Sequence, residues 1–237
     1  MKLFCLNVRS GGGTRWGRIL DFVEAHSADV VIFTEWRRSE TPGAAATWAT
    51  SRGMMWVEAC EGATKNGIFV ASALPFDPAN ATPGKETAGT LLRLDFDGWT
   101  MLAAYFPQRD VKARYFKACI ELSTAVSAQP FLLMGDLNTG NQHADRTSTG
   151  DKYVCAELFD ALSESHGLVD LWRRTHGADA REWSWMTKAN GFRLDHAFGN
   201  PAFIAAFDPT CCYDHSSRES GFTDHSALLI STSGRPS

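Results

Sequence analysis

The chain contains no apolar run near the roughly 20 residues that a bilayer-spanning helix requires, so no segment reads as a membrane span. It also has no C-x-x-C pair. Its cysteines are Cys5, Cys60, Cys119, Cys155, Cys211 and Cys212, and that spacing argues against a zinc site. Most of them sit in apolar context and read as small buried hydrophobes. Positive charge is not in excess. The formal net charge is −4, which does not favour a broad electrostatic grip on nucleic acid, although placement matters more than the sum. Internal repeats, low-complexity segments and long linkers are missing too, so the expectation is a single domain over residues 1–237. The opening Met1-Lys2-Leu3-Phe4-Cys5-Leu6 is too short for a signal-peptide core and lacks a cleavage site, which leads us to expect a cytoplasmic protein.

What the chain does have is material for a large core. Hydrophobic residues make up 44% of it, with 15 Phe and 8 Trp, enough to fill a core and leave aromatics for a site. Short apolar runs predict strands at Lys2–Val8, Val30–Thr34, Met54–Ala59, Gly67–Ala73 and Leu91–Phe96. Further runs predict Thr100–Phe106, Pro130–Met134, Phe192–Phe198, Thr210–Asp214 and Ser226–Ile230. Asp97-Gly98 signals a hairpin between two of them. Helical spacing predicts helices at Trp16–His26, Val111–Ser127 and Val154–Ser165. Pro75–Gly89 and Thr139–Lys152 read as loops. Many short strands with few helices suit two mostly antiparallel sheets packed face to face, with helices outside.

Polar residues recur where these strands end. Phe131-Leu132-Leu133-Met134 runs into Gly135-Asp136-Leu137-Asn138, and Thr223-Asp224-His225 leads into Ser226–Ile230. Asn7 lies in the first strand, Glu35 follows Val31–Thr34, and Tyr105 ends Leu102-Ala103-Ala104. Asp195 and His196 interrupt the apolar stretch around Leu194. A carboxylate at the exit of a buried strand is costly unless something binds it. Converging carboxylates repel, and a hard divalent cation relieves the repulsion. Oxygen-only ligands suit Mg²⁺, Mn²⁺ or Ca²⁺. Each acid alone is more simply a turn former or helix cap, and each lone His a satisfied surface or core residue; Asp145, Asp170, His143 and His166 are read that way. The basic clusters Arg9/Arg15/Arg18, Arg37/Arg38 and Arg109/Lys112/Arg114 each read as solvated surface when taken singly.

The ordered set Asn7, Glu35, Gly135-Asp136-Leu137-Asn138, Arg193-Leu194-Asp195 and Thr223-Asp224-His225 resembles the endonuclease/exonuclease/phosphatase superfamily. Tyr105-Phe106-Pro107-Gln108, Gly167-Leu168-Val169-Asp170, Trp183-Ser184-Trp185 and Cys211-Cys212 look like its bacterial exonuclease III and abasic-site endonuclease branch. The resemblance runs from Lys2 to Ile230. It implies a four-layered α/β/β/α sandwich and Mg²⁺-dependent phosphoester cleavage, with Mn²⁺ as a substitute. By motif position, Glu35 would be the main metal ligand with Asn7 nearby. Asp136 would position or deprotonate the attacking water, and Asn138 would help hold it. Asp224 would orient His225 or bind metal. His225, oriented by Asp195, would stabilise charge on the phosphoryl oxygens, and Tyr105 would contact the phosphate or assist the leaving group. Departures from the branch pattern, such as Thr34-Glu35-Trp36, Ala103 and the loop Val8–Gly13, fall around the substrate channel.

Gln108, Arg9, Arg109, Trp185, Phe192 and Leu194 are the candidate substrate contacts. Trp183, Trp185, Met186, Phe192 and Leu194 either line a pocket for a flipped, baseless sugar or pack beneath the sheets. DNA is the expected partner, and the expected enzyme is a monomer carrying abasic-site endonuclease with 3′-exonuclease or 3′-phosphatase action. A small-substrate or lipid-headgroup phosphoesterase is the alternative, and a non-catalytic scaffold a third.

Overall fold

A computed structural model describes residues 1–38, 43–84 and 88–234. Residues 85–87 of the expected Pro75–Gly89 loop, and the last three residues of the expected domain, lie outside that description. From the N-terminus run β1 (Lys2–Asn7), α1 (Trp16–His26), β2 (Val30–Trp36), α2 (Ala44–Ser51), β3 (Trp56–Glu61) and β4 (Gly67–Ser72). Then come β5 (Phe76–Asn80), β6 (Thr90–Phe96), β7 (Trp99–Tyr105), α3 (Ala113–Ala125), β8 (Phe131–Asp136) and α4 (Ala156–Glu164). Next are β9 (Val169–Asp170), α5 (Leu171–His176), β10 (Trp185–Met186), β11 (Gly191–Phe192) and β12 (Asp195–Gly199). The chain closes with α6 (Pro201–Phe207), β13 (Pro209–Asp214), α7 (Ser216–Glu219) and β14 (Ala227–Thr232).

Two six-stranded sheets result, ordered β13-β14-β1-β2-β4-β3 and β5-β6-β7-β8-β12-β9. Each carries one parallel ladder near its centre, β1 with β2 and β7 with β8, and the remaining ladders are antiparallel. Alternation along the strands fills three layers of core. Leu3, Cys5, Ile32 and Val70 of one sheet meet Leu94, Met101, Leu132 and Met134 of the other between the sheets. Phe4, Val31 and Phe33 face outward onto Ile19 and Val23 of α1 and Trp48 of α2. Leu102, Phe131 and Leu133 face outward onto Tyr115, Phe116 and Cys119 of α3 and Phe159 of α4. This is the expected α/β/β/α layering.

Three expectations need correction. The strand expected over Phe192–Phe198 is split: Phe192 ends a two-stranded hairpin with β10, and Asp195 starts β12 in the large sheet. The Arg193-Leu194 joint lets the chain change sheets. The expected Pro75–Gly89 loop contains β5, a sheet-edge strand that tolerates Pro78 because its outer side needs no ladder hydrogen bond. Helices α2, α5, α6 and α7 supplement the three expected ones. For α6 the local signal is Asn200-Pro201: the Asn200 side chain caps the Phe203 amide and proline occupies the first turn.

Candidate active site

The polar strand ends gather at one rim of the sandwich. The register does this directly: Asn7 ends β1 opposite Thr34 of β2, Tyr105 of β7 pairs with Asp136 of β8, and Asp136 pairs with Asp195 of β12. Gly135 makes that junction possible. A Cβ there would lie 1.9 Å from the Ala104 carbonyl oxygen, so only glycine fits. Glu35 is turned out of β2 by a register shift between Thr34 and Trp36 and adopts a left-handed φ of 54°. A bulge of this kind re-aims a side chain next to a site.

Asn7 links the two central acids. Its Nδ2 donates to Glu35 Oε1 at 3.2 Å and to Asp136 Oδ2 at 2.9 Å, while its Oδ1 accepts from the Arg9 amide at 2.8 Å. The Ser10 amide donates to the other Glu35 oxygen at 2.8 Å. Asp136 also accepts from the Asn138 amide at 2.9 Å. Asn138, at φ 50°, turns its Nδ2 to the Phe106 carbonyl and accepts from Gln108 Nε2. Tyr105 accepts a hydrogen bond from Asn66 at 3.3 Å; burial, then the Glu35 charge, pushes its hydroxyl pKa well up.

On the other side, His225 Nδ1 sits 2.8 Å from Asp195 Oδ2. Burial alone would lower the His225 pKa. The charge and hydrogen bond of Asp195, with Asp136 and Asp224 behind, override it and lift the pKa to about 10, so the ring is a cation at neutral pH. Asp195 therefore orients His225. Asp224, the other expected candidate, instead accepts from Trp185 Nε1 at 3.2 Å and lies 3.7 Å from Arg9 Nε. The Asp195 backbone is pinned as well: its amide donates to Ser184 Oγ, and its carbonyl accepts from the Tyr213 hydroxyl.

The donor set fits a hard divalent cation. The carboxylates of Glu35, Asp136 and Asp224 offer oxygen, while the amide oxygens of Asn7 and Asn138 accept from the Arg9 amide and Gln108 Nε2. Ligand atoms of Asp136, Asp195 and His225 lie within 4.8 Å of one another. Asp195 Oδ1 is buried without a hydrogen-bond partner among the described residues. Burial, then the Asp195 charge, raises the Asp136 pKa to about 7; both penalise the ionised carboxylate, and a cation would relieve that penalty.

A cleft of about 460 Å³ opens over this array. Glu35, Asn138, Asp224 and His225 lie on its polar side, and Trp185, Phe192 and Leu194 on its apolar side. The Trp185 and Phe192 rings are 5.7 Å apart and only partly buried, so they line the cleft rather than the core. Gln108 and Arg109 also reach it, whereas Arg9 stays largely exposed beside Asp224. Met186 is exposed at the neighbouring hairpin.

Two features leave no signal in the sequence. Lys112, expected at the solvated surface, is buried and donates to the Asn138 carbonyl beside the cleft. Asp145 and Asp170, expected as turn and cap residues, are buried around the fully buried Arg193. Asp170 does cap α5, accepting from the Arg173 amide, but it also accepts from Arg193 Nη2 at 2.5 Å. Burial pushes both carboxyls up, and the Arg193 charge and hydrogen bonds more than reverse that, leaving both pKa values lowered. Arg193, Asp145 and Asp170 are far apart in sequence, so no local spacing signals the cluster.

A profile of the Endonuclease/Exonuclease/phosphatase family matches residues 5–225. No curated protein matches the sequence. Among solved structures, a 3′-5′ exonuclease (NExo) from Neisseria meningitidis superposes with a TM-score of 0.80 at 19% identity, covering 98% of this chain and 99% of that one. A variant of the 3′ phosphatase NExo from Neisseria, bound to product DNA hairpin, matches with a TM-score of 0.80 at 18% identity over 98% and 99% of the two chains. An AP endonuclease from Archaeoglobus fulgidus matches with a TM-score of 0.78 at 16% identity, again over 98% and 99%. These likenesses speak to the fold, and the profile match over nearly the whole length to the family: the chain belongs to the Endonuclease/Exonuclease/phosphatase family.

Proposed function

We propose that this protein is a Mg²⁺-dependent phosphodiesterase acting on DNA, with abasic-site endonuclease and 3′-exonuclease or 3′-phosphatase action, in the exonuclease III and abasic-site endonuclease branch. The observation that carries the chemistry is the Asn7-bridged pair Glu35 and Asp136 beside the Asp195–His225 ion pair, with Glu35 and His225 both lining one cleft. Phosphodiester hydrolysis needs an aligned water and relief of charge on the phosphoryl oxygens. Glu35, with Asn7 and Asp224 nearby, would hold the Mg²⁺, for which Mn²⁺ substitutes. When bound, the ion supplies positive charge on the non-bridging oxygens and orients the phosphate.

The remaining steps belong to side chains. Asp136 accepts the proton of the attacking water, and Asn138 helps hold that water. The His225 cation, oriented by Asp195, faces the developing charge. Tyr105 contacts the phosphate. Gln108, Arg109 and Arg9 are proposed backbone contacts, and Trp185, Phe192 and Leu194 the pocket for a sugar that has lost its base. We further propose that the chain acts as a single-domain cytoplasmic monomer.

The net charge of −4 favours a second reading, a small-substrate phosphoesterase of the same family. One panel separates them: abasic duplex, undamaged duplex, single-stranded DNA, RNA and a phosphomonoester, each with Mg²⁺ and with chelator. Mg²⁺-dependent nicking of the abasic duplex, with binding that falls steeply as salt is added, supports the first reading. An intact abasic duplex beside a cleaved phosphomonoester, with flat salt dependence, supports the second.

A further inference from the structure

The loop after β1 has an unusual backbone. Arg9, Ser10, Gly11, Gly12 and Gly13 all have positive φ, at 53°, 53°, 80°, 76° and 49°. This left-handed run wraps around Glu35: the Ser10 amide donates to Glu35 Oε2 at 2.8 Å, and the Gly11 amide to the Glu35 carbonyl at 2.7 Å. Non-glycine residues adopt such conformations at a cost, so surrounding contacts must enforce them. Gly12 is fixed by its neighbours, because a Cβ there would lie 2.7 Å from Trp16 Cε3.

One side chain closes the loop. Arg15, half-buried just before α1, donates through Nη2 to the Arg9 carbonyl at 2.5 Å and through Nη1 to the Phe222 carbonyl at 2.7 Å. Arg9 opens the run that holds Glu35. Phe222 precedes Thr223-Asp224-His225, and Thr223 Oγ1 donates to the Asn7 carbonyl at 2.6 Å. A planar guanidinium with several fixed donors suits such a bridge between two backbones, and a lysine reproduces only part of it.

We propose that Arg15 is a positioning residue that locks the loop holding Glu35 to the segment carrying Asp224, and so sets the spacing of the two proposed cation ligands. The inference rests on the reading of Glu35 and Asp224 as ligands. Groups that orient ligands usually carry a tenfold to hundredfold effect on metal affinity without touching the metal. Arg18 provides a comparison: in the first turn of α1, it donates to the Ser220 carbonyl at 3.2 Å and lies 5.2 Å over the Phe222 ring, but it does not bridge the two loop carbonyls.

The test is Mn²⁺ binding by calorimetry to the full-length wild type, Arg15→Gln, Arg15→Lys, Arg18→Gln and Glu35→Gln, with the thermal midpoint of each. The expected result is Mn²⁺ affinity about tenfold or more below wild type in Arg15→Gln, an intermediate value in Arg15→Lys, and wild-type affinity in Arg18→Gln. Binding lost in Glu35→Gln but unchanged in both Arg15 variants overturns the proposal while sparing the ligand assignment. A wild type that binds no Mn²⁺, or a Glu35→Gln variant that binds normally, overturns the ligand assignment and the proposal with it. If Arg15→Gln does not fold, Arg15→Lys with wild-type affinity is the overturning result.

Discussion

Asp195 and Asp136 are direct partners across the β8–β12 ladder, so sheet register alone places two carboxylates side by side in a buried rim. Like charges in that setting are tolerated only when something compensates them. Asp195 is compensated by the His225 cation at 2.8 Å. Asp136 has the Asn7 and Asn138 hydrogen bonds, and its pKa still rises to about 7. The site thus stores an electrostatic cost that a bound divalent cation would relieve.

The first prediction concerns Asp136→Asn. As the proposed water-activating base, its loss should lower turnover by about a hundredfold to ten-thousandfold. Stability should move the other way. The folded pKa lies above the usual value near 3.8, so at pH 8 the ionised Asp136 costs the fold, and the amide does not. Steady-state rates and an unfolding curve in the absence of metal check both. An unfolding midpoint well below wild type would contradict the electrostatic account.

His225 sets the alkaline behaviour. Its folded pKa of about 10 lies above the usual 6.5, so the stability from the ion pair is complete below pH 6.5 and lost as pH rises through 10. Activity that depends on the cation should hold to about pH 9 and fall near pH 10. His225→Ala should remain folded, lose most turnover and lose that alkaline limb. A pH–rate profile and circular dichroism measure these, and an unfolded variant would show that the residue supports the core instead.

His196 predicts an acid-side loss of stability. Its Nε2 lies 2.8 Å from the Thr139 carbonyl and 3.0 Å from the Arg193 carbonyl, so Nε2 carries the proton of a neutral ring. Burial, then the Arg193 charge, lowers its pKa to about 4. The unfolded ring takes up a proton near pH 6.5 and the folded one does not, so stability is full above pH 6.5 and falls as pH drops toward 4. Urea unfolding at pH 7 and pH 4.5 should show this fall in wild type and a smaller one in His196→Gln. The lowered Asp145 and Asp170 pKa values place their loss at still lower pH.

Arg193→Met should be severely destabilising. The guanidinium bonds Asp145 at 2.6 Å and Asp170 at 2.5 Å with no exposed surface, and its removal leaves two buried carboxylates with only the partly exposed Arg173 as a cationic partner among the described residues. Breaking such a pair costs about 3–5 kcal/mol. Chemical denaturation at neutral pH measures it, and a cost under about 1 kcal/mol, the range of exposed pairs, would contradict the network's role.

The strands of the two central layers were legible because their apolar runs are continuous, as in Val31–Phe33 and Phe131–Met134. The candidate acids are legible because each sits where such a run stops. Other parts left weaker traces. Residues Phe76–Asn80 form an exposed edge strand around Pro78, a composition that reads as loop. Helix α2 is built from Ala, Thr, Trp and Ser, with little polar face to set a period. The Phe192–Phe198 run looked like one strand because hydropathy does not register a change of sheet at Arg193-Leu194. Lys112 looked like surface because its burial depends on a carbonyl from Asn138, far along the chain.

The most direct test of the central claim, one cation gathered by strand-end oxygens, is an anomalous difference map from a Mn²⁺-soaked crystal. The account predicts a peak over the cleft with a Glu35 carboxylate oxygen at roughly 2 Å and further oxygens from the Asn7, Asp136 or Asp224 side chains completing the shell. A fully occupied Mn²⁺ bound elsewhere, with the Glu35 carboxylate left on Ser10 and Asn7 alone, would contradict it.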